Sequence, residues 1–113
     1  MKIITENIEL KELKEMAAST FGDLVKAVVD IEREIMAVDA ELHSDEEALL
    51  LTNGSKQENL WGINFYPDLL GEDFLEFDSM INIRPSAGNR SRGVDDPKTR
   101  EKIREVVDKL VTR

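Results

Sequence analysis

The chain has 113 residues, with 15 basic and 24 acidic side chains and a formal net charge of −9. That length suits one domain with one ordinary core, and the charge opposes non-specific contact with nucleic acid or anionic membrane. With no cysteine in the chain, disulfides, thiolate chemistry and Cys-ligated metal sites are excluded. No apolar run approaches the ~20 residues of a membrane span, and MKIITENIEL meets acids too early for a signal peptide. A single cytoplasmic domain over residues 1–113 is expected.

Lys2–Thr5 reads as a short edge strand or an ordered tail. From Glu9 to Thr20 the apolar residues Leu10, Leu13, Met16 and Ala17 recur at helical spacing. Asn7 is the expected N-cap and Gly22 the expected stop. From Leu24 to Leu42 the period changes to two. Val25, Ala27, Val29 and Ile31 alternate with their neighbours, and so do Met36, Val38, Ala40 and Leu42 beyond a reversal near Arg33–Glu34. This predicts a hairpin. A long helix through Ile31–His43 competes with it, because Glu, Met, Ala and Leu favour helices.

Glu47–Thr52 is a short apolar run whose period is ambiguous. The Asn53–Gly54 pair that follows tolerates a type I′ turn, which predicts a strand turning back into Leu60–Pro67. A helix opened by Ser44 or Asp45 is the rival. In Leu60–Tyr66, Trp61, Ile63 and Phe65 point one way and Gly62, Asn64 and Tyr66 the other. After a loop at Pro67–Asp73, a strand is expected over Phe74–Arg84. It would place Leu75, Phe77, Ile81 and Ile83 on one face, and Glu76, Asp78, Met80, Asn82 and Arg84 on the other. Pro85–Pro97 is loop. Asp96 caps a last helix with Pro97 at its first position, Ile103, Val106, Val107 and Leu110 as its buried stripe, and Glu105 spaced to pair with Lys109. The sum is an α+β fold: a mostly antiparallel meandering sheet with an N-terminal and a C-terminal helix packed on one face and a polar opposite face.

Three constellations could carry chemistry. Arg84, Arg90 and Arg92 lie within nine residues with no acid among them, beside Asn82, Gly88, Asn89 and Ser91. Guanidinium forks bind carboxylate or phosphate, and a Gly-containing turn adds backbone donors. An anionic small molecule would then contact Arg84, Asn89, Arg90 and Ser91, with Asn64 and Asn82 in support. Against this stands the expectation that these arginines pair with the chain's own carboxylates and pin the loop. The acids Asp30, Glu32, Glu41, Glu76 and Asp78 could share one sheet face and hold Mg²⁺ or Ca²⁺, though no spacing matches a metal motif and a solvated charged face is the simpler and preferred explanation. The sole histidine, His43, stands between Glu41 and Asp45 as a ligand or base. Trp61 reads as core, while Asn64 and Tyr66 could line a pocket with Asn82 and Arg84. No phosphate loop, nucleophile elbow, zinc motif or RNA-binding aromatic signature is present, and no cofactor is identified.

The runs VKAVVDIE, ELHSDEEALLL, GSKQENLWGINFYP and INIRPSAGNRS, followed by VDDP and REKI, together resemble the bacterial family of unknown function DUF5674. The resemblance spans nearly the whole chain and implies a small cytoplasmic protein. It also implies glycine at position 34 and around positions 39–40, where this chain has Glu34, Asp39 and Ala40. It assigns no activity. Three functions stay open: a non-catalytic binding module with the Arg/Asn loop as anion site, a small enzyme acting on a phosphorylated or carboxylated molecule through His43 and the arginines, and a structural homodimer without a ligand.

Overall fold

A computed structural model describes residues 1–113. The short β-branched runs VKAVVD and IMAV form strands β3 (Val25–Asp30) and β4 (Ile35–Val38), the expected hairpin. Asp30 organises the reversal. Its Oδ1 accepts the N–H groups of Glu32 and Arg33 at 3.0 and 2.9 Å, and Oδ2 accepts Ser55 Oγ at 2.7 Å. Glu34 and Asp39 close the turn and end β4 with φ of 57° and 71°. Both lie in the left-handed region that glycine enters at least cost, at or beside the places where the resemblance implies glycine.

Strand β1 (Lys2–Ile4) is the expected edge strand and pairs antiparallel with β4. Strand β5 (Leu60–Phe65) pairs antiparallel with β3 along its whole length, and the two-residue β6 (Leu75–Glu76) pairs with the end of β5. The sheet order is β1-β4-β3-β5-β6. A second, parallel pair joins β2 (Ile8–Glu9) to β7 (Val111–Thr112).

Helices α1 (Leu10–Ser19) and α3 (Pro97–Leu110) cover one face. Leu13, Ala17, Ile103, Val106, Val107 and Leu110 pack on Val25, Ala27, Val29, Met36, Val38, Ile63 and Phe65. Asp96 caps α3 as expected, accepting Lys98 N–H and Thr99 Oγ1. Three local expectations change. Asn7 does not cap α1; its Oδ1 accepts Thr112 Oγ1, and Glu9 occupies the cap position without a side-chain bond. Lys109 bonds Glu34 at 2.6 Å instead of Glu105. The strand expected over Phe74–Arg84 ends at Glu76, after which the chain takes 3₁₀ turns at Met80–Asn82 and Pro85–Ala87. Leu75 and Phe77 do pack on the α1/α3 side, but Ile81 packs on the opposite face.

That opposite face is not polar. Val28, Ile35, Ala37 and Leu60 form a second core beneath helix α2 (His43–Thr52), so the Glu47–Thr52 strand is replaced by a helix. Its buried residues His43, Glu46 and Leu50 fall at helical spacing, and Leu42, not Ser44 or Asp45, precedes its first turn. Asn53–Gly54 stops the helix instead of turning a hairpin. Ser55 N–H bonds Leu50 O and Gly54 N–H bonds Leu51 O, with Gly54 at φ 95°, the paired bonds of a Schellman ending.

Glu46 is fully buried under α2; Oε2 accepts Ala40 N–H at 3.1 Å and Oε1 has no partner. Desolvation pushes its pKa up to about 9, against the smaller opposing effects of the Ala40 bond and Lys26. The folded state therefore holds a proton that the unfolded chain releases above about pH 4.5. This contribution is complete below that pH and is lost as pH rises toward 9, at roughly 1.4 kcal/mol per pH unit inside the window. Glu46→Gln keeps an acceptor for Ala40. Its urea-unfolding free energy is expected to lack this slope and to exceed wild type most at alkaline pH. Parallel pH profiles for the two proteins would refute the assignment.

Candidate functional site

The arginine-rich loop is built inward. Arg84 lays its guanidinium over the Trp61 ring, 4.2 Å from the centroid, and donates through Nη1 to Gln57 O and Nη2 to Leu60 O, each at 2.7 Å. Arg92 forms a two-point pair with Asp78 at 2.6 and 3.3 Å. Asn89 is buried and donates to the carbonyls of Asn82, Ser91 and Gly93, while its Oδ1 accepts Asp95 N–H. Ser91 Oγ donates to Asp95 Oδ1 at 2.5 Å, and Arg90 N–H donates to Asp95 Oδ2. These bonds lower the Asp95 pKa, the Ser91 bond most. Of the three arginine side chains, only that of Arg90 makes no hydrogen bond or ion pair.

Asn82, also buried, works as a substitute strand. Its Oδ1 accepts Gly62 N–H at 2.8 Å and its Nδ2 donates to Gly62 O at 2.9 Å and Arg92 O at 3.0 Å. Gly62 permits this approach, since a Cβ there would lie 2.4 Å from Ser79 Cβ.

Residues 2–110 match the family model described as protein of unknown function DUF5674. The chain belongs to that family. No curated protein and no solved structure matches it.

The DUF5674 chain has a second polar assembly, on the α2 side of the sheet. A cleft of about 320 Å³ lies between the start of α2, strands β3, β5 and β6, and the Ser79–Ile81 turn. Lys26, His43, Asn64, Tyr66, Glu76, Asp78 and Arg92 line it, with Leu24, Leu42, Met80 and Ile81. Asn64 and Tyr66 thus share a cleft, as their common face suggests, but with His43 and the Glu76–Asp78 pair of acids instead of Asn82 and Arg84. Leu42 and Met80 remain 54% and 65% exposed.

The floor is ordered. Glu76 Oε1 accepts Asn64 Nδ2 at 2.8 Å and Tyr66 OH at 3.2 Å, and Asn64 Nδ2 also reaches Asp78 O at 3.2 Å. Burial and the Glu76 carboxylate raise the Tyr66 pKa, so the phenol stays a donor. His43 Nε2 donates to Ile63 O at 2.8 Å, which fixes Nδ1 as the ring's acceptor. Desolvation lowers the His43 pKa, outweighing the Ile63 carbonyl that favours the cation. Burial thus favours the neutral imidazole.

The expected acidic face does not assemble. Asp30 is locked in its turn, Glu32 accepts from Asn59 Nδ2, and Glu41 is exposed outside the cleft. No group of three or more acids or histidines stands close enough to hold a metal. Another depression, of about 420 Å³, lies beside Phe74 and Val107, but its arginines are engaged: Arg113 covers Phe74 and pairs with Asp108, and Arg104 covers Phe77. No helix is long and apolar enough to cross a membrane.

Asn82→Ala leaves the Gly62 N–H and C=O without their buried partner and is expected to cost about 2–4 kcal/mol in chemical denaturation. Arg90→Ala is expected to stay within about 0.5 kcal/mol of wild type. Equal stabilities for the two variants would remove Asn82 from its structural role.

Proposed function

We propose that this DUF5674 domain is a non-catalytic binding protein for a small polar molecule, held in the cleft beneath the start of α2. The observation that carries the proposal is convergence. Polar side chains from β3, α2, β5, β6 and the loop at Arg92 meet in one cavity with an apolar rim, and its floor is fixed by the Asn64–Glu76–Tyr66 bonds. A few placed polar groups within a partly apolar concavity is the usual composition of a ligand site. The cleft is preferred to the arginine loop as the ligand's place because Asn82 and Asn89 spend their amide donors, and Arg84 both of its Nη groups, inside the chain. An enzyme built on His43, Glu41 and the arginines takes second place. His43 shares the cleft with Arg92, but Arg84 and Glu41 stand outside it.

Amide-resolved NMR with a set of small polar fragments tests this. Binding is expected to shift the signals of Lys26, His43, Asn64 and Glu76. Ser44 also lines the cleft, at the start of α2, and Ser44→Trp, which places a bulky ring on that wall, is expected to weaken binding at least tenfold. Inorganic phosphate serves as the competing probe. Phosphate shifts centred on Gly88–Arg90, with no fragment response in the cleft, would return the site to the arginine loop and overturn the proposal.

A further inference from the structure

We infer that the cleft is matched to a zwitterion of about amino-acid size, its carboxylate toward Lys26 and its ammonium toward Glu76. This inference rests on the binding function proposed above and names the class of ligand.

Four charged side chains line the cleft: Lys26, Glu76, Asp78 and Arg92. Asp78 and Arg92 neutralise each other at 2.6 Å. Lys26 and Glu76 have no ion-pair partner, so one positive and one negative group are left without an opposite charge. Strand register sets where they stand. Lys26 is directly opposite Asn64 on β5, and Asn64 is directly opposite Glu76 on β6. The three form one row across adjacent strands on the α2 side of the sheet, which places the outer two backbones about 10 Å apart.

Each charge is also held. Asn64 and Tyr66 anchor one oxygen of Glu76, leaving the other free of protein donors. The Lys26 ammonium rests 5.0 Å from the centre of the Phe21 ring. The two therefore do not collapse onto each other, and a ligand meets opposite charges already separated. Asn64, only 6% exposed, forms the base between them. Such preorganisation reduces the cost of ordering the site on binding. The volume, about 320 Å³, is at the small end of ligand cavities, roughly 300–1,000 Å³. Leu42 and Met80 at the rim offer apolar surface to a side chain. Leucine is therefore a suitable first probe.

The experiment is an NMR titration of the whole chain with leucine, leucinamide, N-acetyl-leucine and N-acetyl-leucinamide, beside the polar fragments used above. Leucine is expected to bind at least tenfold more tightly than either singly blocked compound. Lys26→Met is expected to abolish the preference for leucine over leucinamide. Glu76→Gln, which keeps an acceptor for Asn64 and Tyr66, is expected to abolish the preference over N-acetyl-leucine. If N-acetyl-leucinamide binds in the cleft as well as leucine does, the charge matching is wrong while the binding function stands. The same holds if only the fragments bind there. If neither the fragments nor any leucine compound perturbs the cleft, both fall.

Discussion

The outer edge of β5 needs partners that no strand supplies. The two residues of β6 pair only with Asn64 and Phe65, which leaves the Gly62 N–H and C=O and the Leu60 C=O facing out from a buried strand. Unpaired, such groups are costly. Asn82 satisfies the first two with one side-chain amide, which carries a donor and an acceptor side by side as a peptide does, and Arg84 satisfies the third. Because side chains complete the ladder, the backbone after Glu76 is released from it. It crosses above Gly62, seats Ser79 against it, and runs Ser79–Ile81 over the sheet as one wall of the cleft. Gly62, Asn82 and the cleft are in this sense one structural decision.

Parts of the fold were legible because period and burial agree in them. Every second residue of the hairpin strands, from Val25 to Val29 and at Met36 and Val38, is apolar and faces α1 and α3, and both terminal helices carry plain apolar stripes. The second layer was hidden for the opposite reason. Two of the three buried residues of α2 are His43 and Glu46, types that read as surface, so its helical stripe has no hydropathy signature. Asn53–Gly54 then pointed the wrong way, since the positive φ that suits a hairpin turn suits a helix ending equally well. The available clues were Val28 beside Val29 in β3 and the unbroken apolar run Ile35–Val38 in β4, which place apolar residues on both faces and signal strands buried on both sides.

The site was less legible than the fold. Arg92 looked free because its acid, Asp78, is remote in sequence, and the Asp95 carboxylate that gathers the Arg90 main-chain N–H and Ser91 Oγ lies just past the cluster. Arg84 engages main-chain carbonyls and a Trp face, partners that leave no sequence trace. That Asn64 and Tyr66 share a face follows from strand alternation alone. That Lys26 and Glu76 flank Asn64 depends on the register of two strand pairings, and sequence fixes neither.

The short parallel pair between Ile8 and Val111 bears on how the molecule assembles. These residues are 103 positions apart, as their numbers show, and the β2 segment leads directly into α1. During synthesis the hairpin and α2 can gather on β5 while the α3 segment is still in the ribosome. The α1/α3 face can close only after residue 112 emerges. Long-range closure of this kind slows folding and prolongs exposure of apolar surface. The face of the sheet that carries the larger core is thus the last to be shielded, and the nascent chain is most exposed to aggregation and chaperone capture there, on the side opposite the cleft.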